Sequence, residues 1–278
     1  GIMQDITKRG FFTEHRYWII AAAMVLFLPP LSFVFQLTQE SSFCGTWCPR
    51  MFFVWKQGST LSQFFMGFVR SYMGVLLVVG IVVSTFFFGR YWCSHLCPVG
   101  GAMEVGSRLV PRQVQINYKH IPAPSIRYGY LLVYLVAPAI GVGSLCCNYC
   151  NFATIPRLFG AAFSEADMAY FLRGAGLVNL GLVAVLGVFA VGGRGYCNML
   201  CPVGAFDALF NRLGSRFGKR ISVDGSKCNA CGACKKVCPL WAIDIKDKAA
   251  IDQLSCMPCR QCEKVCAQEA IRYGKVKA

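Results

Sequence analysis

Two short segments, KCNACGACKKVCP and SCMPCRQCEKVCA, present four thiols each: Cys228, Cys231, Cys234 and Cys238 in the first, and Cys256, Cys259, Cys262 and Cys266 in the second. This is the run C-x2-C-x2-C-x3-C written twice. Three closely spaced thiolates cap three irons of one cube, and a short helix then carries the fourth sulfur toward its neighbour, so in such a pair each fourth cysteine serves the other cluster. The spacing predicts one [4Fe–4S] cluster on Cys228, Cys231, Cys234 and Cys266 and a second on Cys256, Cys259, Cys262 and Cys238. Zinc would need only C-x2-C pairs, and a disulfide framework is unsuited to a reducing compartment.

The remaining cysteines, among 17 in all, fall into paired loops. YWCSHLCPVGGAMEV (residues 91–105) and GYCNMLCPVGAFDAL (residues 195–209) share C-x3-C-P-V-G and each opens an amphipathic stretch, so the chain contains an internal repeat. Cys93, Cys97, Cys197 and Cys201, two from each copy, make a four-thiolate cage for a third cubane, with zinc or a disulfide as the competing readings. FCGTWCPR, residues 43–50, has a twin in LCCNYCNF, which aligns Cys146 with Cys44, Cys150 with Cys48 and Tyr149 with Trp47. The repeat predicts a fourth cubane on Cys44, Cys48, Cys150 and one of Cys146 or Cys147, the other thiol being spare. Two disulfides or packing cysteines are the alternatives in an oxidising compartment.

These loops need elements to bring them together. The chain is 55% hydrophobic and 15% charged, with 28 Lys+Arg against 13 Asp+Glu, too apolar and too basic for an ordinary soluble domain. The stretches Tyr17–Gln39, Ser71–Gly89, Tyr128–Pro156 and Gly174–Gly193 carry no charged residue, and each is long enough for an apolar helix across a hydrocarbon core about 30 Å thick. The expected fold is therefore an all-α membrane protein with four transmembrane helices in two pseudo-repeated halves, followed by a small α+β domain holding two [4Fe–4S] clusters. Pro29-Pro30 should kink the first helix. The domains read as an N-terminal cytoplasmic segment (1–16), a transmembrane domain (17–220, repeats about 17–109 and 128–215) and the cysteine-rich domain (221–278). Ile243-Asp244-Ile245 and Ala270-Ile271-Arg272 read as its short strands.

Only Arg50, Lys56, Arg70, Arg157 and Arg173 among the basic residues lie in the two loops opposite the termini. The positive-inside rule then places the chain in the inner (cytoplasmic) membrane, multi-pass, with both termini cytoplasmic. The positive charge faces an anionic leaflet and calls for no nucleic acid. The stretch before the first span has no apolar core of a cleavable signal peptide. Met51–Tyr72, rich in Phe, reads as an interfacial amphipathic segment. His15, His95 and His120 are the only histidines and lie outside the spans, which leaves haem without ligands. No flavin, dinucleotide or P-loop motif is present. His95, between Cys93 and Cys97, reads as an interfacial polar residue. Glu14 with His15 and Glu104 with His120 have the chemistry to accept quinol protons, but charged residues near helix ends usually serve as anchors.

Residues 221–278 resemble a bacterial two-[4Fe–4S] ferredoxin. With the CPVG pairs Cys93/Cys97 and Cys197/Cys201, nearly the whole chain resembles the ferredoxin-type membrane subunit of periplasmic nitrate reductase systems and the related C-terminal half of the nitrous-oxide-reductase regulator, a quinol dehydrogenase family. The resemblance covers those four cysteines and the eight of the C-terminal runs; the outer loops at Cys44 and Cys150 depart from the pattern. It implies a membrane-bound iron–sulfur subunit relaying electrons between the quinone or quinol pool and a partner redox protein. The expected partners are other subunits of a membrane redox complex and a soluble ferredoxin-like protein or cytochrome. A metal or thiol reductase of a cofactor-maturation pathway is the alternative, and a non-redox anchor a third reading.

Overall fold

The computed structural model describes residues 11–29, 31, 72–140 and 149–275. Helix α1 (Arg16–Phe27) ends where Leu28 turns extended before Pro29, as the ring of a following proline demands. Helix α2 (Tyr72–Phe88) stops at Gly89, whose φ of +80° is left-handed. A π-helical turn (Trp92–Leu96) then leads into α3 (Pro98–Leu109). The second half runs through α4 (Ala123–Ala139), α5 (Asn151–Gly160), α6 (Glu165–Phe171), α7 (Gly174–Val183) with a π-helical end (Ala184–Val188), α8 (Gly195–Met199) and α9 (Pro202–Leu213).

The four transmembrane helices expected from the sequence are not what the chain forms. Among the described residues no single helix is long and apolar enough to cross a membrane. Helix α2, with 17 residues, is about 25 Å long at about 1.5 Å per residue. Helix α1 ends before Pro29, and Pro30 and residues 32–39, on which the expected kink also depends, lie outside the described residues. The third uncharged run is divided between α4 and α5, with Cys150 extended between them. Helices α6 and α7 make one apolar pair bent by 82°, and the fourth run ends in a π turn followed by Gly192 and Gly193, both left-handed. Absence of charge marks a segment as apolar; it does not keep the helix continuous. Much of the first run, and the Met51–Tyr72 segment up to residue 71, lie outside the described residues.

The two halves pack reciprocally. Helix α3 lies against α1 and the π-helical end of α7, while α9 lies against α4 and α2. Between them sits a core of Leu28, Val99, Met103, Ile155, Val183 and Tyr196, with Cys97, Cys197 and Cys201 at its edge.

The C-terminal domain has two antiparallel pairs. Strand β1 (Lys219–Val223) pairs with β4 (Ile271–Lys275), Val223 opposite Ile271, and β2 (Ile243–Ile245) pairs with β3 (Ala249–Ile251), Ile243 opposite Ile251. Ile243–Ile245 is thus a strand as read from the sequence, and the second strand begins at Ile271 rather than Ala270. Each cysteine run opens a short helix, α10 (Ala233–Val237) and α11 (Gln261–Lys264), after a left-handed residue, Gly232 in one and Arg260 in the other. Trp241 and Glu269, each three residues after the fourth cysteine of its run, are also left-handed, so the two runs share one backbone path. Arg220 fastens the domain to the helices by donating to the carbonyls of Thr85 (2.9 Å) and Asn211 (3.0 Å), and the Tyr273 hydroxyl donates to Phe88 O (2.7 Å).

Candidate metal centres

Cys238, Cys256, Cys259 and Cys262 line one cavity. The fourth cysteine of the first run therefore stands with the first three of the second. The Ala242 N–H donates to Cys238 Sγ at 3.3 Å. Burial, and then Cys259, push the Cys238 thiol up to about 11; burial also raises Cys256 and Cys262. A cluster of thiols this deep is costly to ionise without a cation to receive the charge. Cys228, Cys231 and Cys234 lie near enough to perturb one another, and Cys266 packs against a core that cysteines of both runs share. Here the environment is open: Cys231 is exposed, and the Ala249 and Ala230 amides lower the Cys228 thiol.

The CPVG loops converge as well. Cys97 lies beside Cys197, and Cys93 within reach of both Cys97 and Cys201. In each copy the second cysteine caps a helix: Gly100 N–H donates to Cys97 Sγ at 3.4 Å and Gly204 N–H to Cys201 Sγ at 3.3 Å. Burial raises all three thiols resolved, Cys97 to about 11.

Around this cage lies a shell that sequence reasoning missed. Arg16, Arg90, Arg127 and Arg194 are all 1% exposed or less, so they do not face a leaflet as the charge pattern of the sequence suggests. Arg90 pairs with Asp207 (3.0 Å), while Arg16 and Arg194 both pair with Glu104 (2.7 and 2.8 Å). Burial alone would push the Glu104 carboxyl up, but Arg194 and Arg16 hold it at about 2. Glu104 is a buried, paired carboxylate, not a surface anchor or a base for quinol. His95 is also buried, not interfacial, with Nδ1 2.5 Å from Ser94 Oγ and its ring stacked on Tyr91. A signal was present: Gly-Arg precedes the first CPVG-loop cysteine at the same offset in both copies, Gly89-Arg90 and Gly193-Arg194.

The donor set fits a cubane. The twelve cysteines of these runs are free thiols, and among the described residues no three Cys, His, Asp or Glu side chains stand close enough to share one metal ion. Thiolates arranged around a four-iron body need not meet at a point, as zinc ligands must. Around the CPVG cage four buried arginines stand with two buried carboxylates, Glu104 and Asp207, while Asp252, which also acts on Arg127, is exposed. Buried excess charge is costly, and an oxidised cubane with four thiolates, a dianion, offsets it where two neutral disulfides would not.

Of the outer cysteines, Cys44, Cys48, Cys146 and Cys147 lie outside the described residues. Cys150 precedes α5, and the Tyr196 hydroxyl donates to Tyr149 O (2.5 Å) while accepting from Asn151 N–H (3.4 Å). Tyr196 adjoins Cys197, so Tyr149 and Cys150 stand one tyrosine from the CPVG cage rather than across a hydrocarbon core from it.

Residues 71–117 and 175–220 match a family described as a 4Fe-4S binding domain, and residues 221–243 match a second family of that description. The chain carries 4Fe-4S binding domains, and [4Fe–4S] clusters are its cofactors. Among named proteins it is similar to one bearing the name of an electron transport protein, YccM of Escherichia coli (strain K12), at 30% identity over 59% of this chain and 45% of that protein. It is similar to the methylamine utilization ferredoxin-type protein MauN of Methylobacillus flagellatus, at 29% over 59% of this chain and 54% of that one. It also matches the ferredoxin-type protein NapH of Escherichia coli, at 29% over 58% and 53%. The chain is thus similar to ferredoxin-type electron-transport proteins, as the resemblance in its cysteine motifs implied. It spans about half the length of the curated relatives it matches. No solved structure matches it.

Proposed function

We propose that this protein relays electrons between the quinone or quinol pool and a partner redox protein, with three cages in file: the CPVG cysteines, then Cys238, Cys256, Cys259 and Cys262, then Cys228, Cys231, Cys234 and Cys266. A [4Fe–4S] cluster supplies one-electron transfer at each. The observation that carries the reading is the clamp between the first two cages. Asn198 in the second CPVG loop donates to Leu240 O (3.2 Å), just past Cys238, and Asn211 on α9 donates to Gln253 O (2.6 Å), just before Cys256. The third cage, with Cys231 exposed, is where a soluble ferredoxin-like protein or cytochrome would dock. Other subunits of a redox complex are the remaining partners.

Location at the cytoplasmic membrane, with the C-terminal domain on the cytoplasmic side, belongs to the same proposal. Its support is the apolar faces turned outward: Leu76, Val79, Val83 and Phe87 along α2, and Leu132, Val136 and Ile140 along and just past α4. Exposed stripes of this size call for an apolar surround, and a quinone would reach the cages from there. A fourth cluster on Cys44, Cys48, Cys150 and Cys146 or Cys147 is proposed from the repeat.

Anaerobic purification with iron and sulfide counting, then titration of the reduced clusters by electron paramagnetic resonance, tests the reading. The expected result is iron for at least three cubanes, about four irons each, reducible by a quinol analogue. Iron for two cubanes only, with disulfides at the CPVG pairs, would overturn the relay.

A further inference from the structure

The four buried arginines line the CPVG cage, and two of them, Arg90 and Arg127, hydrogen-bond to the C-terminal domain as well. Toward the CPVG loops, Arg194 donates to Cys93 O (2.8 Å), Arg16 to Ser94 O (2.9 Å), Arg127 to Asn198 O (2.7 Å) and Arg90 to Gly204 O (3.3 Å). Ser94 and Asn198 hold the same place in the two copies of the repeat, so Arg16 and Arg127 perform one task for the two halves. Toward the C-terminal domain, Arg127 donates to Leu254 O (2.7 Å) and Arg90 reaches Ser255 O (3.4 Å), the two carbonyls preceding Cys256. The charge of Arg90 acts on Cys93 and Cys197 from one side and on Cys256 from the other. Those of Arg16 and Arg194 reach Cys259.

We propose that Arg16, Arg90, Arg127 and Arg194 form a shared cationic layer between the CPVG cage and the cage of Cys238, Cys256, Cys259 and Cys262, and that this layer holds both clusters at a higher reduction potential than the solvent-facing cage. The inference rests on the cluster reading above and adds a direction to it: an electron delivered from either end comes to rest on the buried pair. Reduction adds one negative charge to a cluster and moves no proton at the arginines, whose charge is permanent. Burial by itself disfavours the added charge. Four buried cations against the two buried carboxylates, Glu104 and Asp207, favour it by more, because the Coulomb attraction is little screened there, whereas water screens the exposed Asp252 near Arg127. The third cage has no such buried shell among the described residues: the charges beside it, Lys227, Lys236, Lys248 and the Lys235–Asp244 pair, stand at the surface, where water screens them.

The arginines are positioning and tuning residues, so the test reads potentials, not turnover. Intact, anaerobically purified protein is titrated with dithionite under electron paramagnetic resonance as wild type, Arg90→Gln, Arg90→Lys and Asp207→Asn, with Cys231→Ser used to identify the solvent-facing signal. Arg90→Gln is expected to lower the potentials of the two buried clusters together and leave the third unchanged. Arg90→Lys keeps the charge and is expected to stay near wild type. Asp207→Asn removes a carboxylate 3.1 Å from Cys93 Sγ and is expected to raise the CPVG cluster's potential. Unmoved potentials in Arg90→Gln at full iron and sulfide, or a lysine variant indistinguishable from glutamine, would overturn the layer. Should Arg90→Gln lose its iron, Asp207→Asn decides, and an unchanged or lowered potential there overturns it. Wild-type protein without a CPVG cluster would instead sink the underlying cluster reading.

Discussion

The cage around Cys228 and the cage around Cys97 hold the same kind of ligand by different means. In the first, three thiols follow one another at short spacing and backbone amides do the positioning: Ala249 N–H donates to Cys228 Sγ at 3.5 Å, and a left-handed Gly232 turns the chain into α10. In the second, thiols more than a hundred residues apart meet only because two helical halves pack, and the helices supply one amide to each pair. Side-chain ion pairs, buried and few, do the rest. The contrast teaches that a cage closed by local spacing can sit in an open, solvated setting, whereas a cage assembled across a repeat is set among buried, paired charges.

The sharpest way to break that contrast is to remove one partner of a buried pair. Glu104→Ala leaves Arg16 and Arg194 without their carboxylate at a site only 4% exposed, and a loss of about 3–5 kcal/mol is expected, read by denaturant unfolding followed by tryptophan fluorescence. Its counterpart at the domain surface, Glu263→Ala, releases Arg260 from a partly exposed pair and should cost about 1 kcal/mol or less. Equal losses would mean that burial does not separate the two regions.

Acid provides the next largest effect. Glu104 is held at about 2 against an ordinary value of 4.5, so its contribution is fully present above 4.5 and is lost as pH falls from there through about 2. At about 1.4 kcal/mol per pH unit the loss amounts to roughly 3 kcal/mol. Unfolding free energies of wild type should fall across that window and those of Glu104→Gln should fall less; parallel pH profiles would refute the pairing.

Glycines at matching places in the repeat give a finer comparison. A Cβ on Gly193 (φ +67°) would come within 2.5 Å of Met103 O, while on Gly89 (φ +80°) the nearest atom is Asn211 Oδ1 at 3.3 Å. Both alanine variants carry the left-handed penalty of about 1–2 kcal/mol, but only Gly193→Ala adds a backbone clash, so it should lower the melting temperature clearly more. A reversal would show that the halves are not packed as described. Smallest of all is Lys235→Ala, which removes a surface pair with side chains 36% and 64% exposed. A change under about 0.5 kcal/mol is expected, and a larger one would mean that the solvent-facing cage leans on side-chain charge after all.

The placing of Cys238 with Cys256, Cys259 and Cys262 was legible in the sequence because spacings of two and three residues leave the chain few ways to fold around them. Strand Ile243–Ile245 was legible for the same local reason. The CPVG pairing could be inferred because the motif is written twice. The helices were misjudged where hydropathy was asked to report continuity: Leu28 before Pro29, and the left-handed Gly192 and Gly193, end helices within runs that carry no charge. The burial of the arginines was not legible, because charge in a sequence looks the same whether it meets water or Glu104.

By itself the sequence determined the ligand type, the cubane spacing and the repeat, all consequences of short-range covalent geometry. The tertiary structure alone decided which charges are buried and what they face. Arg16 meets Glu104 across 88 residues, and Arg90 meets Asp207 across 117 and Ser255 across 165. Pairings at such separations follow from how two helical halves and a small domain exclude water between them, and no local pattern of residues encodes which side chains are caught inside.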